Sequence, residues 1–265
     1  MDLDSYFKRI GYAGSTTATI ETLRALHNLH IRAIPFENLD VLQGRRIEMA
    51  PKAVVHKLVT RQRGGYCFEQ NTLFKTALTE LGFAVQPLLG RVRRNVPADV
   101  RTGLTHMVLR VTIDDRPWLC DVGFGSLGSP APLTFELDVE QTTQLETRRL
   151  VKNDRAFTHQ AKLGEEWVDL YQFTLDDPAP VDFELGNWYS CTHPEAHFRN
   201  NLVVTLVRDK SRLAINNNEF VVRQLDGSAE KREIRSRDDL LRLLVEHFNL
   251  PLDSTDALQT PWLGW

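Results

Sequence analysis

Cys67 stands in the densest chemical segment of the chain, Arg63-Gly64-Gly65-Tyr66-Cys67-Phe68-Glu69-Gln70-Asn71. The glycine pair permits a tight loop with unusual backbone angles, and the apolar spacing beyond it predicts a helix that starts at Cys67. A helix N-terminus stabilises negative charge, so a cysteine there is biased toward the thiolate, the form that attacks electrophilic carbon. Phe74 lies seven residues on and shares the face of Cys67, which turns the thiol into the protein. The competing reading is plain packing, because free cysteine is among the most buried residue types. Position alone does not separate the two.

His106 and Asp121 add the rest of a nucleophilic constellation. Asp114-Asp115 reads as the tip of a hairpin joining 105–113 to 117–123. With those two residues as the loop, His106 falls opposite Gly123 and Asp121 opposite Val108. His106 and Asp121 then become diagonal neighbours on one face, with Cβ atoms roughly 7–8 Å apart. A histidine at a strand start is ordinarily structural, and an aspartate before glycine is ordinarily a turn residue. Asp121, however, sits inside the apolar run Trp118–Val122, where an unpaired carboxylate is costly. That cost calls for a partner, and His106 is the nearest candidate. A carboxylate there holds one imidazole nitrogen and aims the other at a nucleophile. Glu37, Asp40 and Glu69 are the alternative orienting acids, and Cys120, pointing to the opposite face, reads as core.

The elements that must position these residues follow from periodicity. Thr19 is a candidate cap for a helix carrying Ile20, Leu23, Leu26 and His27, and Pro51 opens a second helix with Val54, Val55, Leu58 and Val59 inward. The Cys67 helix carries Phe74, Ala77, Leu78 and Leu81 and stops at Gly82. The period then changes to two: 85–92, 107–113 and 118–122 read as strands, with weaker signals at 150–151, 167–170 and 171–173. Asp176-Asp177-Pro178-Ala179-Pro180 breaks this β region. Strands at 202–207 and 219–224 and a helix over 238–248 follow. The expected division is a helical domain over 1–84, a β domain, a meander or small barrel, over 85–180, a connection over 181–201 and a further α/β region over 202–265.

Bulk properties narrow the class. A net charge of −3 leaves no basic field for nucleic acid, and no apolar run approaches the ~20 residues of a membrane span. The acidic opening Met1-Asp2-Leu3-Asp4-Ser5 is unlike a secretory leader, so the expectation is a soluble cytoplasmic enzyme. Three cysteines without CxxC spacing predict neither a disulfide framework nor a structural zinc site, and no metal is expected.

The segment 63–71 resembles the active-site signature of the arylamine N-acetyltransferase family. Ile34-Pro35-Phe36-Glu37-Asn38-Leu39-Asp40, Thr105-His106, Asp121-Val122-Gly123-Phe124-Gly125, and Asn187-Trp188-Tyr189-Ser190 through His193-Pro194 fit the same family in order. The likeness runs from about residue 5 to residue 205. It implies an α+β fold with a papain/transglutaminase-like cysteine core: an N-terminal helical bundle, a central β-barrel and a C-terminal α/β lid. It also implies ping-pong transfer of an acetyl group from acetyl-CoA, the cosubstrate, through a Cys67 thioester to an aromatic amine, hydrazine or hydroxylamine. Cys67, His106 and Asp121 would be the catalytic triad. Phe36, Val92 and Phe124 would line the acceptor pocket, and Thr102, Gly103, Gly125 and Ser126 would lie along the CoA path. The chief alternative is another cysteine acyltransferase or hydrolase on the same core. A non-catalytic binding protein would take up amines without forming an acetyl-Cys67 intermediate.

Overall fold

The computed structural model describes residues 1–252 together with Ser254 and Leu258, so the end of the expected 202–265 lid lies outside the described residues. The chain opens with helices α1 (Leu3–Ile10) and α2 (Ile20–Ala33), then a two-residue strand β1 (Phe36–Glu37) and a single turn α3 (Leu39–Leu42). Helix α4 (Pro51–Val55) runs on through a π-helical turn at His56–Thr60, and α5 (Cys67–Glu80) follows. Thr19 caps α2 by accepting from the Thr22 N–H at 3.3 Å, and Pro51 opens α4 where a missing N–H costs nothing. Every residue from Cys67 to Phe74 is buried, so α5 is a central helix. Leu23 and Leu26 of α2 belong to the same core as Phe74, Ala77 and Leu78 of α5. Full burial of Phe74 alone is worth about 1.5–3 kcal/mol.

The barrel comprises β2 (Ala84–Val92), β3 (His106–Ile113), β4 (Arg116–Cys120), β5 (Leu133–Thr134), β6 (Gln141–Thr142), β7 (Thr147–Asn153), β8 (Ala156–Leu163) and β9 (Glu166–Phe173). They form one sheet in the order β5-β4-β3-β2-β9-β8-β7-β6. Its two edges meet through a side chain: Gln141 accepts from the Thr134 N–H at 2.8 Å and donates to the Thr134 carbonyl at 3.1 Å. The barrel is nearly closed without a ladder between β5 and β6.

Beyond it come α6 (Pro180–Thr192), α7 (His197–Asn200), strands β10 (Val203–Val207), β11 (Ser211–Asn216), β12 (Glu219–Gln224) and β13 (Ala229–Glu233), and helix α8 (Arg237–Phe248). The second sheet is ordered β1-β10-β11-β12-β13, so the Phe36–Glu37 segment supplies its edge. Helix α8 buries Leu240, Leu243, Leu244 and Phe248 in the same core as Leu213 and Ile215 of β11. The 181–201 segment, expected as a connection, is mostly helical. Its apolar residues fall on both sides of α6, Phe183 and Cys191 inward and Leu185 and Trp188 outward, so no helical period stands out.

The β3–β4 hairpin has the expected register: Ile113 pairs with Arg116 and Leu109 with Cys120. Asp114 and Asp115 take φ of 48° and 61°, the paired left-handed geometry of a type I′ turn. Strand β4 ends at Cys120, and the expected Asp121-Val122 extension becomes a turn instead. A β-branched residue resists the left-handed region. Asp115→Val should therefore cost about 1–2 kcal/mol and lower the melting temperature by ~2–8 °C. Asp115→Gly should not. Equal melting temperatures for the two variants in a thermal scan would contradict the turn assignment.

Candidate active site

The loop before Cys67 is held by charge. Arg63 Nη2 pairs with Glu37 Oε1 at 2.7 Å and reaches Asp40 at 3.4 Å. Lys57 Nζ lies 2.7 Å from both Asp40 and Glu69, and Glu69 accepts from the Tyr66 N–H at 3.1 Å. Glu37, Asp40 and Glu69 are thus committed to this network and leave Asp121 as the acid beside His106. Gly64 and Gly65 do not adopt the unusual angles expected of them; the left-handed residue of the loop is Gln62, with φ of 50°. The glycines serve close approach. A Cβ on Gly64 would collide with the Pro35 carbonyl oxygen, and one on Gly65 would come within 2.7 Å of Glu69 Oε2.

Cys67, His106 and Asp121 are brought together in the interior, each no more than 3% exposed. His106 Nε2 meets Asp121 Oδ2 at 2.7 Å, which leaves Nδ1 for the thiol. The Cys67 sulfur lies 3.6 Å from the Thr105 carbonyl oxygen, one residue before His106. Burial alone would lower the His106 pKa, but Asp121 outweighs it by charge and hydrogen bond, and the Cys67 sulfur adds to the effect. The imidazole is raised to about 10. Burial likewise opposes the Asp121 charge, and His106, Asn71 and the Gly123 N–H overcome it, holding the carboxyl at about 2.

Sequence reasoning missed the groups that hold Asp121. Asn71 Nδ2 donates to Asp121 Oδ1 at 3.0 Å and to the Met107 carbonyl at 2.8 Å, and Asn71 Oδ1 accepts from the Val122 N–H at 3.2 Å. Asn71 is four residues past Cys67 and so shares its helix face, a spacing that could have found it. His27 Nε2 accepts the Asp121 N–H at 3.3 Å; burial first, with Arg148 adding to it, lowers this imidazole to about 4 and keeps it neutral. Gly123 lies so close to α5 that a Cβ would stand 2.7 Å from the Cys67 Cα. Asn187 accepts a hydrogen bond from the Tyr66 hydroxyl and donates to the Ile47 carbonyl at 3.0 Å, tying α6 to the residue before the thiol.

Of the other sequence candidates, Phe124 alone is in direct contact with this centre. The Phe124 ring stands edge-on to His106 at 5.2 Å and is 5.2 Å from Tyr171. Val92 pairs with Tyr171 across β2 and β9, and Phe36 sits beside Gly125. Thr102 donates to the Val92 carbonyl at 2.8 Å, Gly103 is exposed, and Gly125 and Ser126 begin a 3-10 turn, Gly125–Leu127. The carbonyl of Gly128, which closes that turn, takes hydrogen bonds from Arg148 at 3.2 Å and Arg212 at 3.0 Å, and both arginines pair with Glu146. Among the described residues, no group of three or more His, Cys, Asp or Glu side chains is placed to hold a metal ion. No helix among them is long and apolar enough to cross a membrane.

A family model described as N-acetyltransferase matches residues 19–257 and defines the class. An arylamine N-acetyltransferase of Escherichia coli (strain K12) is 37% identical over 95% of this chain and 89% of its own length. A Salmonella typhimurium protein named arylamine N-acetyltransferase / N-hydroxyarylamine O-acetyltransferase is 36% identical over 94% of this chain and 88% of its own length. The Mycobacterium marinum arylamine N-acetyltransferase in complex with CoA superposes with a TM-score of 0.93 at 36% identity, covering 97% of each chain. The chain belongs to the arylamine N-acetyltransferase family and shares its α+β fold.

The His106–Asp121 pair gives stability a definite pH dependence. The raised His106 contributes fully below its ordinary value of 6.5, and that contribution is lost as pH rises toward about 10. The depressed Asp121 contributes fully above its ordinary 3.8 and loses its contribution as pH falls through about 2. Asp121→Asn removes the charge and should cost about 1–3 kcal/mol. Its melting-temperature deficit against the wild type should be widest between pH 3.8 and 6.5 and shrink above that range. A deficit independent of pH would mean that the native pair is uncharged.

Proposed function

We propose that Cys67, His106 and Asp121 form the catalytic triad of an arylamine N-acetyltransferase that takes acetyl from acetyl-CoA. The single observation that carries this reading is the buried His106–Asp121 pair at 2.7 Å beside a cysteine at the start of α5. The helix N-terminus and the imidazolium stabilise a thiolate at Cys67. That thiolate attacks the thioester carbonyl; a sulfur–carbon bond to Cys67 forms, the bond to the CoA sulfur breaks, and His106 Nδ1 returns a proton to the leaving thiolate. The Tyr66 N–H is committed to Glu69, which leaves the Cys67 N–H at the helix start to stabilise the oxyanion. In the second half-reaction an amine nitrogen attacks acetyl-Cys67, neutral His106 takes its proton, and the thiolate is regenerated. Asp121 holds the imidazole in one orientation throughout.

The acceptor is an aromatic amine or hydrazine, with hydroxylamines supported by the name of the Salmonella relative. Phe36, Val92 and Phe124 form its pocket, and Thr102, Gly103, Gly125 and Ser126 lie on the CoA path. This assignment divides the chain into nucleophile-bearing helices over 1–84, a base-bearing barrel over 85–180, a connecting region over 181–201 and a lid from 202. Three unpaired cysteines suit a reducing compartment, and we assign the protein to the cytoplasm.

Mixing the protein with acetyl-CoA in the absence of amine should place one acetyl group on the peptide containing Cys67, read by mass spectrometry. Cys67→Ala should yield no adduct and no turnover; substantial turnover by that variant would sink the mechanism. The aromatic Phe124 wall can stack on an arylamine and exclude water from the thioester. Phe124→Ala should slow amine transfer by at least about tenfold more than acetylation of Cys67. Equal losses in both half-reactions would assign Phe124 to support of His106 instead.

A further inference from the structure

A cavity of about 1050 Å³ lies between the loop that follows β2 and strands β8 and β9, and no triad residue lines it. Strand alternation explains its separation from the acceptor pocket. Val92 pairs with Tyr171, whose ring packs on His106 at 4.7 Å inside the barrel. Arg91 pairs with Gln172, one residue along on both strands, so these two side chains project from the opposite, outer face.

The loop is folded around two guanidinium groups. Arg93 donates to the Pro97 carbonyl at 2.8 Å, to that of Ala98 at 3.3 Å and to that of Val100, and Arg91 donates to the Thr102 carbonyl. Arg94 and Arg101 line the same cavity, and among the described residues neither side chain has a hydrogen bond or ion pair. Asp99 of the same loop also lines the cavity, and on the far wall Asp169 bonds Gln160 at 2.6 Å and Asp176 bonds Thr174 at 2.6 Å, so four arginines face three aspartates. Burial and, next, the charge of Arg101 push the Arg91 pKa down, so these cations stand close enough to repel. Converging cations held on a braced loop are relieved by a multiply charged anion. The volume is that of a nucleotide-sized ligand.

We propose that this cavity binds an organic phosphate, with Arg94 and Arg101 as the principal cationic contacts. The phosphate has two possible sources: the 3′-phosphorylated ADP end of acetyl-CoA, which rests on the donor proposed above, or a separate nucleotide.

The test compares wild type with the Arg94→Ala/Arg101→Ala double variant, after circular dichroism and thermal melting establish that both fold. Calorimetric titration with adenosine 3′,5′-bisphosphate and with inorganic pyrophosphate reads the site directly. The expected result is binding of at least one probe to the wild type and at least a tenfold loss in the variant. Steady-state KM for acetyl-CoA, set against KM for the phosphate-free donor p-nitrophenyl acetate, assigns the source. A selective rise for acetyl-CoA identifies the donor's nucleotide end; an unchanged ratio with lost probe binding identifies a separate phosphate ligand. Wild type that binds neither probe, or a variant that binds both unchanged, would overturn the proposal. A wild type that is acetylated by p-nitrophenyl acetate but not by acetyl-CoA would defeat the donor assignment while the titration still decides the cavity.

Discussion

Asp121 is a charge with no route to water, and the groups that compensate it join the halves of the molecule. Its carboxylate is met by His106 from β3, by Asn71 from α5 and by the Gly123 N–H of its own turn. Each donor comes from a different element, so compensating the charge fixes the helix against the barrel as well as the imidazole against the acid. An incomplete set would leave a buried carboxylate at a penalty of several kcal/mol, more than a small shift of α5 could recover. Asn71 is the central piece, because one amide group bonds the acid, the strand carbonyl before Val108 and the turn after Asp121. The absence of a Cβ at Gly123 permits that contact, since the turn runs against the Cys67 backbone.

The same logic of compensated charge recurs on the other side of Cys67. Lys57 and Arg63 face Glu37, Asp40 and Glu69, and this cluster braces the loop that delivers Cys67 to the helix start. One acid of the cluster, Glu69, also satisfies the Tyr66 N–H, an orphan donor at the helix N-terminus. Buried ion pairs contribute little net stability after desolvation, yet they penalise every arrangement in which a member loses its partner. Two such networks, one on each side of the thiol, therefore specify position more than they add stability.

How much of this was legible in the sequence depended on the range of the interaction. The His106–Asp121 relation could be read because a two-residue turn fixes hairpin register, and period-two geometry then assigns faces. The Cys67 helix could be read from local spacing. Strand β8 could not be, because a register shift between His159 and Gln160 interrupts its alternation and leaves Phe157, Thr158 and His159 all buried. Helix α6 was masked by apolar residues on both faces. The glycine pair before Cys67 was assigned the wrong reason: Gly64 approaches Pro35, a neighbour only in the fold, and Gly65 approaches Glu69 across the start of α5. His27 was invisible for the same cause, because it meets Asp121 far along the chain.

Arg148 shows how the second sheet enters the site. It is fully buried on β7, and its partner Glu146 also receives Arg212 from β11 of the second sheet. Burial disfavours the Glu146 charge, but the two arginines outweigh it and lower its pKa, so the carboxylate stays ionised between two cations that would otherwise repel. Both arginines also donate to the Gly128 carbonyl, which ends the turn that begins beside Phe124. The segment from Asp121 to Gly128 is consequently fixed at both ends, by Asn71 and His106 at the first and by the arginine pair at the second. Between those anchors it presents Phe124 to His106 and Gly125 to Phe36. A displacement of the second sheet would pull Arg212 from Glu146 and Gly128 and loosen the segment that carries Phe124 before it reached Cys67, His106 and Asp121. The second sheet thus bears on the segment from Phe124 to Gly128, while the helix–barrel junction sets the geometry around Cys67, His106 and Asp121.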